Sequence, residues 1–132
     1  MGAGCLGAVD RALGRLAALL ECWRAAAAHF ADALRTEQQL RAPLLAARTL
    51  RDQAAALLAR GASRDARAAL HQLAQAEVTY RSLDLPTERI VALRARAASL
   101  SVRPSRGSHV RGAWRARRSQ RQAFRRSGCG ES

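Results

Sequence analysis

Residues 50–86 read LRDQAAALLARGASRDARAALHQLAQAEVTYRSLDLP, and the punctuation inside this stretch decides the fold class. Leu50, Ala54, Leu57 and Leu58 fall on one face of a helix. The run stops at Arg60-Gly61, a cation in the last turn followed by a glycine free to take the left-handed conformation. Ser63 stands where its hydroxyl can cap a second helix, with Asp65 in that helix's electropositive first turn. Ala66, Ala69, Leu70, Leu73, Ala76, Tyr80 and Leu83 then recur at spacings of three and four up to Leu85-Pro86, where proline must stop or restart the helix. Two apolar stripes joined by a short turn make a helical hairpin. Leu57 and Leu73, each central in its stripe, are expected to face one another across it.

Working outward, residues 16–43 repeat this unit in looser form. Leu6, Val9, Leu13, Leu16 and Leu20 predict a first helix lasting to about Cys22. After a break in period at Trp23, Ala26, Ala27, Phe30, Ala33, Leu34 and Leu40 mark a second helix that ends before Pro43, which suits the first turn of the next. Aligning Leu40-Arg41-Ala42-Pro43 with Leu83-Asp84-Leu85-Pro86 gives an offset of 43 and superposes Phe30 on Leu73, Ala33 on Ala76 and Arg24 on Arg67. The pairs Leu19-Leu20 and Leu57-Leu58 align instead at 38, which reads as a five-residue insertion at the Gly61 turn. A last helix, Thr87 to about Ser101, puts Ile90, Leu93, Ala97 and Leu100 on one face and can cap the stack. Glu37 with Arg41 and Glu77 with Arg81 stand at i,i+4 in the favourable order.

The chain has 132 residues, the length of one ordinary domain, and its hydrophobic content is mostly alanine and leucine. One Ile, five Val and 4% aromatics leave too little of what fills sheets, so the expected class is all-α. All 23 basic residues are arginine, which together with the alanine excess suggests GC-rich coding. No apolar run approaches the roughly 18 residues of a membrane span, and Asp10 and Arg11 interrupt any secretory core. Gly2 and Cys5 stand where an acylation signal would, but Leu6 occupies the position that wants Ser or Thr. A soluble, cytoplasmic protein is expected. Cys5, Cys22 and Cys129 are odd in number and lack zinc-site spacing, so reduced thiols are expected and no metal or other cofactor.

A repeat of about 34 to 43 residues with helix-turn-helix content, small Ala packing positions and a closing Pro resembles a tetratricopeptide array. The expected architecture is two tetratricopeptide-like hairpins plus a capping helix over residues 1–102, a short α-solenoid. Within residues 16–100, the stretches AAAAHFADALRTEQQLRAPLLAARTLRDQAAALLARG and DARAALHQLAQAEVTYRSLDLPTERIVALRARAASL resemble the tetratricopeptide tail of large ATPase transcription regulators of high-GC bacteria, of the LuxR and adenylate-cyclase-associated type. The resemblance implies a protein-binding module inside a bacterial transcription regulator. It does not extend to ATP, because no GxxxxGK[ST] loop is present, nor to a recognisable DNA-reading helix after Leu100.

Beyond Val102 the composition changes. Residues 103–132 hold nine Arg against one acid, Glu131, with Pro104, Gly107 and Gly112 breaking any long helix, so a disordered basic tail is expected. Arg111, Arg115, Arg117, Arg118, Arg121, Arg125 and Arg126 could meet nucleic-acid phosphates while Trp114 and Phe124 stack on bases. A shifted reading frame replacing a DNA-binding domain would produce the same composition. No Ser, Cys or Asp lies in a nucleophile motif, and His29, aligned with Gln72, reads as a solvated outer-face residue without an orienting carboxylate. The expectation is therefore no enzyme and no small-molecule substrate. What is expected is a non-catalytic protein-interaction or self-association module, with the alternative of nucleic-acid binding through the tail. For a protein partner the candidate surface is the inner side of the stack, lined by the first helix of each hairpin, where Arg48, Arg51 and Asp52 project.

Overall fold

A computed structural model describes residues 3–102, with side chains described from Leu6 onward except at Ser63. Over this range the chain is all-α: α1 (Ala3–Leu19), α2 (Trp23–Gln39), α3 (Pro43–Arg60), α4 (Ser63–Ser82) and α5 (Glu88–Ser101), with no strand among the described residues. The helices pair as α1 on α2 and α3 on α4, and α5 covers α4. α3 also touches α2, α1 and α5, so α1, α3 and α5 lie side by side as one layer. Two hairpins and a covering helix are thus present. Residues 103–132, including every tail residue named for nucleic-acid contact, and the extreme N-terminus fall outside the described range.

Each connection between helices contains one left-handed residue. Gly61 is at φ +74°, and Glu21, Arg41 and Asp84 are at +59°, +52° and +53°. The three non-glycine turns close in the same way: Cys22 N–H donates to Ala17 at 2.8 Å, Ala42 to Glu37 at 3.0 Å and Leu85 to Tyr80 at 2.9 Å. These are six-to-one bonds of the Schellman motif, with the matching five-to-two bonds from Glu21, Arg41 and Asp84. The segments aligned at 43 therefore adopt one turn. Burial repeats at the same spacing, for Ala26, Phe30 and Ala33 are buried as are Ala69, Leu73 and Ala76, and Ala47 and Ala54 as are Ile90 and Ala97.

The smaller offset is corrected by the helix ends. α1 and α3 superpose when the turn residues Glu21 and Gly61 are matched, an offset of 40 rather than 38. Gly7 then meets Ala47 and Gly14 meets Ala54, all buried. No five-residue loop insertion exists; instead α4 is three residues longer than α2, 20 against 17. Its first turn begins after Ala62, which occupies the cap position without a side-chain hydrogen bond, so the cap is not Ser63. Asp65 in that turn is gripped by Arg60, with Nε and Nη2 each 2.6 Å from a carboxylate oxygen. The paired carboxylate holds the Arg60 guanidinium in its charged form, raising its pKa.

The core lies in the second hairpin and α5. Ala47, Ala54, Leu58, Ala69, Leu73, Ala76, Tyr80, Ile90 and Ala97 form one buried cluster. Leu58, not Leu57, is the leucine of α3 that is buried; Leu57 is half-buried and borders a small cleft toward Trp23 and Phe30 of α2. Glu77 ties α5 on, accepting from Arg94 and from Arg81 at 2.5 Å, the latter the i,i+4 pair the spacing predicts.

The first hairpin is built differently. α1 packs on α2 through glycine, since a Cβ on Gly7 would stand 3.1 Å from Glu37 Cγ and one on Gly14 would stand 3.0 Å from the Phe30 ring. The leucine stripe of α1 points the other way, and Leu6, Val9, Leu13 and Leu16, with Leu20 just beyond the helix end, are all exposed. Glu37 does not pair with Arg41. Arg41 belongs to the left-handed turn beyond α2, where helical spacing no longer applies, and Glu37 is buried instead, accepting a hydrogen bond from Thr49 Oγ1 at 2.9 Å.

Candidate functional site: an arginine-lined groove

The layer made by α1, α3 and α5 carries a cavity of about 440 Å³. Its walls are Arg11 and Arg15 of α1, Arg48, Arg51 and Asp52 of α3, Tyr80 of α4, and Leu85, Pro86, Glu88 and Arg89 at the entry to α5. The sequence places them there through helical spacing. Arg11 and Arg15 are one turn apart on α1, as are Arg48 and Asp52 on α3, and α1 and α3 lie side by side. Arg11 and Arg51 occupy equivalent positions at the offset of 40.

At the base of the groove sits Asp52, with its side chain 4% exposed. Arg51 donates to its Oδ1 from Nε at 3.1 Å and from Nη2 at 3.0 Å, while Arg11 Nε lies 4.0 Å from Oδ2. Arg51 also donates from Nη1 to the Tyr80 hydroxyl at 2.9 Å, with its guanidinium 6.0 Å from the Tyr80 ring centroid. Arg51 is thereby fixed in place, and Tyr80 buries its ring while using its hydroxyl. Arg11 Nη1 is buried without a hydrogen-bond partner among the described residues. Around this base Arg15, Arg48 and Arg89 are exposed. Five guanidinium groups face two carboxylates, so the groove is net positive.

The three residues singled out by the sequence all line this groove, though in different roles. Arg48 is presented to solvent, whereas Arg51 and Asp52 engage each other and shape the floor. Arg11, Arg15, Tyr80 and Arg89 were not anticipated. The repeat offset could have found Arg11, but only in the register of 40, and Arg15 follows it by one helical turn.

Elsewhere, the reading of His29 needs correction. Its Nδ1 lies 3.5 Å from Asp10 Oδ1, with both side chains partly buried. The alignment with Gln72 concealed this because it says nothing about α1, from which Asp10 comes. Cys22 is disulfide-bonded rather than a free thiol, since an odd count still allows one pair. No group of three His, Cys, Asp or Glu placed to hold a metal ion occurs among the described residues. No helix among them is long and apolar enough to cross a membrane. Comparison with protein-family models, with curated proteins and with solved structures finds no match for this chain.

Proposed function

We propose that this chain is a non-catalytic protein-interaction module of tetratricopeptide-like hairpins, and that its groove takes an extended acidic segment of a partner protein. The observation that supports the reading is the convergence of five arginines from three helices on one concavity where only two carboxylates offset them. Guanidinium forks match carboxylates in bidentate geometry, and Arg48 and Arg89 are exposed residues of the groove lining. The parent we propose, on the resemblance of residues 16–100, is a cytoplasmic bacterial transcription regulator of the LuxR type. The recurrence of burial at 43 residues supports the repeat part of that reading.

The test is titration of the full chain with a fluorescent glutamate-rich peptide. Arg48→Glu and Arg89→Glu should each weaken binding by about tenfold, the scale of a lost charge-assisted pair. Arg67→Glu, on the outer face of α4, should change it less than twofold at moderate salt. Equal losses from all three would mean that only net charge matters and that the groove is not the site. A single-stranded oligonucleotide in the same assay addresses the alternative, nucleic-acid binding through Arg111–Arg126, which predicts retention only when that tail is present.

A further inference from the structure

α1 is turned so that its glycines meet the bundle and its leucines meet solvent. Leu6, Val9, Leu13, Leu16 and Leu20 follow one another at spacings of three, four, three and four, the strict seam spacing of a helix made to pair with another helix. Their exposures run from 40% for Leu13 to 72% for Leu20. We infer that this face is a self-association surface, and that its occupant is α1 of a second copy of this chain.

Three observations favour a second copy. At those exposures the five side chains leave on the order of 500 Å² of apolar surface, at the upper end of what a monomer shows, and two such faces together bury about 1,000 Å², the level a specific interface must reach. The seam itself carries no charge, so the strongly basic copies need not bring arginines together to close it. Arg11 and Arg15 lie on the groove side of α1, away from the seam. Finally, Ala12 and Ala17 flank the leucines and allow close helix approach, and an antiparallel pairing about a two-fold axis near the middle of α1 opposes the helix dipoles and closes the assembly as a dimer. The inference is independent of what the groove binds, because α1 presents the two features on different faces.

The experiment is sedimentation velocity of the full chain with free thiols alkylated and at about 0.5 M salt, where contacts made by exposed charges are screened. The expected species is a dimer of the 14.3 kDa chain. Leu13→Glu should give the monomer with unchanged helicity, and the milder Leu13→Ala should raise the dimer dissociation constant at least tenfold. The melting temperature of the unaltered chain should rise with concentration, and that of Leu13→Glu should not. A monomer at about 200 μM overturns the inference, as does a dimer whose dissociation constant neither substitution moves.

Discussion

The ring of Phe30 rests on Gly14 so closely that a Cβ on the glycine would stand 3.0 Å from Cδ1 and Cε1. Phe30 is 1% exposed, so its ring can give way only by shifting toward the small cleft it shares with Trp23 and Leu57. Gly14→Ala should therefore destabilise the protein by about 1–3 kcal/mol, although the same change at an unconstrained helical site gains about 0.5–1 kcal/mol. Thermal melting followed by circular dichroism decides the sign. A raised melting temperature would mean that α1 does not sit on Phe30.

Leu73 is wholly buried, whereas Arg67 is exposed on the same helix. Truncation of Leu73 to Ala should cost about 2–5 kcal/mol, a large part of the roughly 5–10 kcal/mol available to so small a domain. Arg67→Ala should change stability by no more than about 0.5 kcal/mol. Leu58→Ala should resemble Leu73→Ala, and Leu57→Ala should fall between the two classes. Equal urea midpoints for Leu73→Ala and Arg67→Ala would contradict the packing of α4.

Glu37 is buried, its Oε2 accepts no hydrogen bond among the described residues, and burial raises its pKa above the ordinary 4.5 against the lowering effects of Thr49 and then Arg11. Because the native state holds this proton more tightly than the unfolded one, the group adds stability as pH falls toward 4.5 and loses it as pH rises through the folded value. Glu37→Gln keeps an acceptor for Thr49 and removes the charge. The variant should be more stable than the unaltered chain at pH 7, and the two should converge below about pH 4.5 as the carboxyl protonates in both states. Denaturant unfolding at a series of pH values measures the difference, and a gap that widens on acidification would contradict the assignment.

The hairpins were legible because Arg60-Gly61, Pro43 and Pro86 are local signals, each tied to a backbone conformation that few other residues favour. The facing of α1 was not. Periodicity reports that a helix has an apolar side, but which side finds a partner depends on how closely another helix can approach, and Gly7 and Gly14 allow an approach that the leucines would prevent. Glu37 misled for a related reason: its i+4 neighbour Arg41 looks helical in sequence, yet α2 stops at Gln39. That Arg48, Arg51 and Asp52 share one surface is legible because α3 is the first helix of its hairpin. The place of Arg11 and Arg15 beside them is not, because the leucines of α1 suggest the opposite facing.

Asp84 holds a φ of +53° at the end of α4, a conformation that costs a residue with a Cβ about 1 kcal/mol and glycine nearly nothing. Asp84→Gly should raise stability by about 0.5–1 kcal/mol, net of the greater freedom of glycine in the unfolded chain, and Arg41→Gly should do the same for the equivalent turn. A lowered melting temperature in both variants would show that these turns are held by their side chains instead.

The proposal that the groove receives an acidic segment is tested most directly by nuclear magnetic resonance of the ¹⁵N-labelled full chain titrated with a glutamate-rich peptide. The amide shifts expected to move most are those of Arg11, Arg48, Arg51, Tyr80 and Arg89, from four helices that share the groove wall. The Arg51 side-chain Nε–H signal should move with them as its bond to Asp52 is perturbed. Shifts confined to residues 103–132, with the groove amides unmoved, would contradict it.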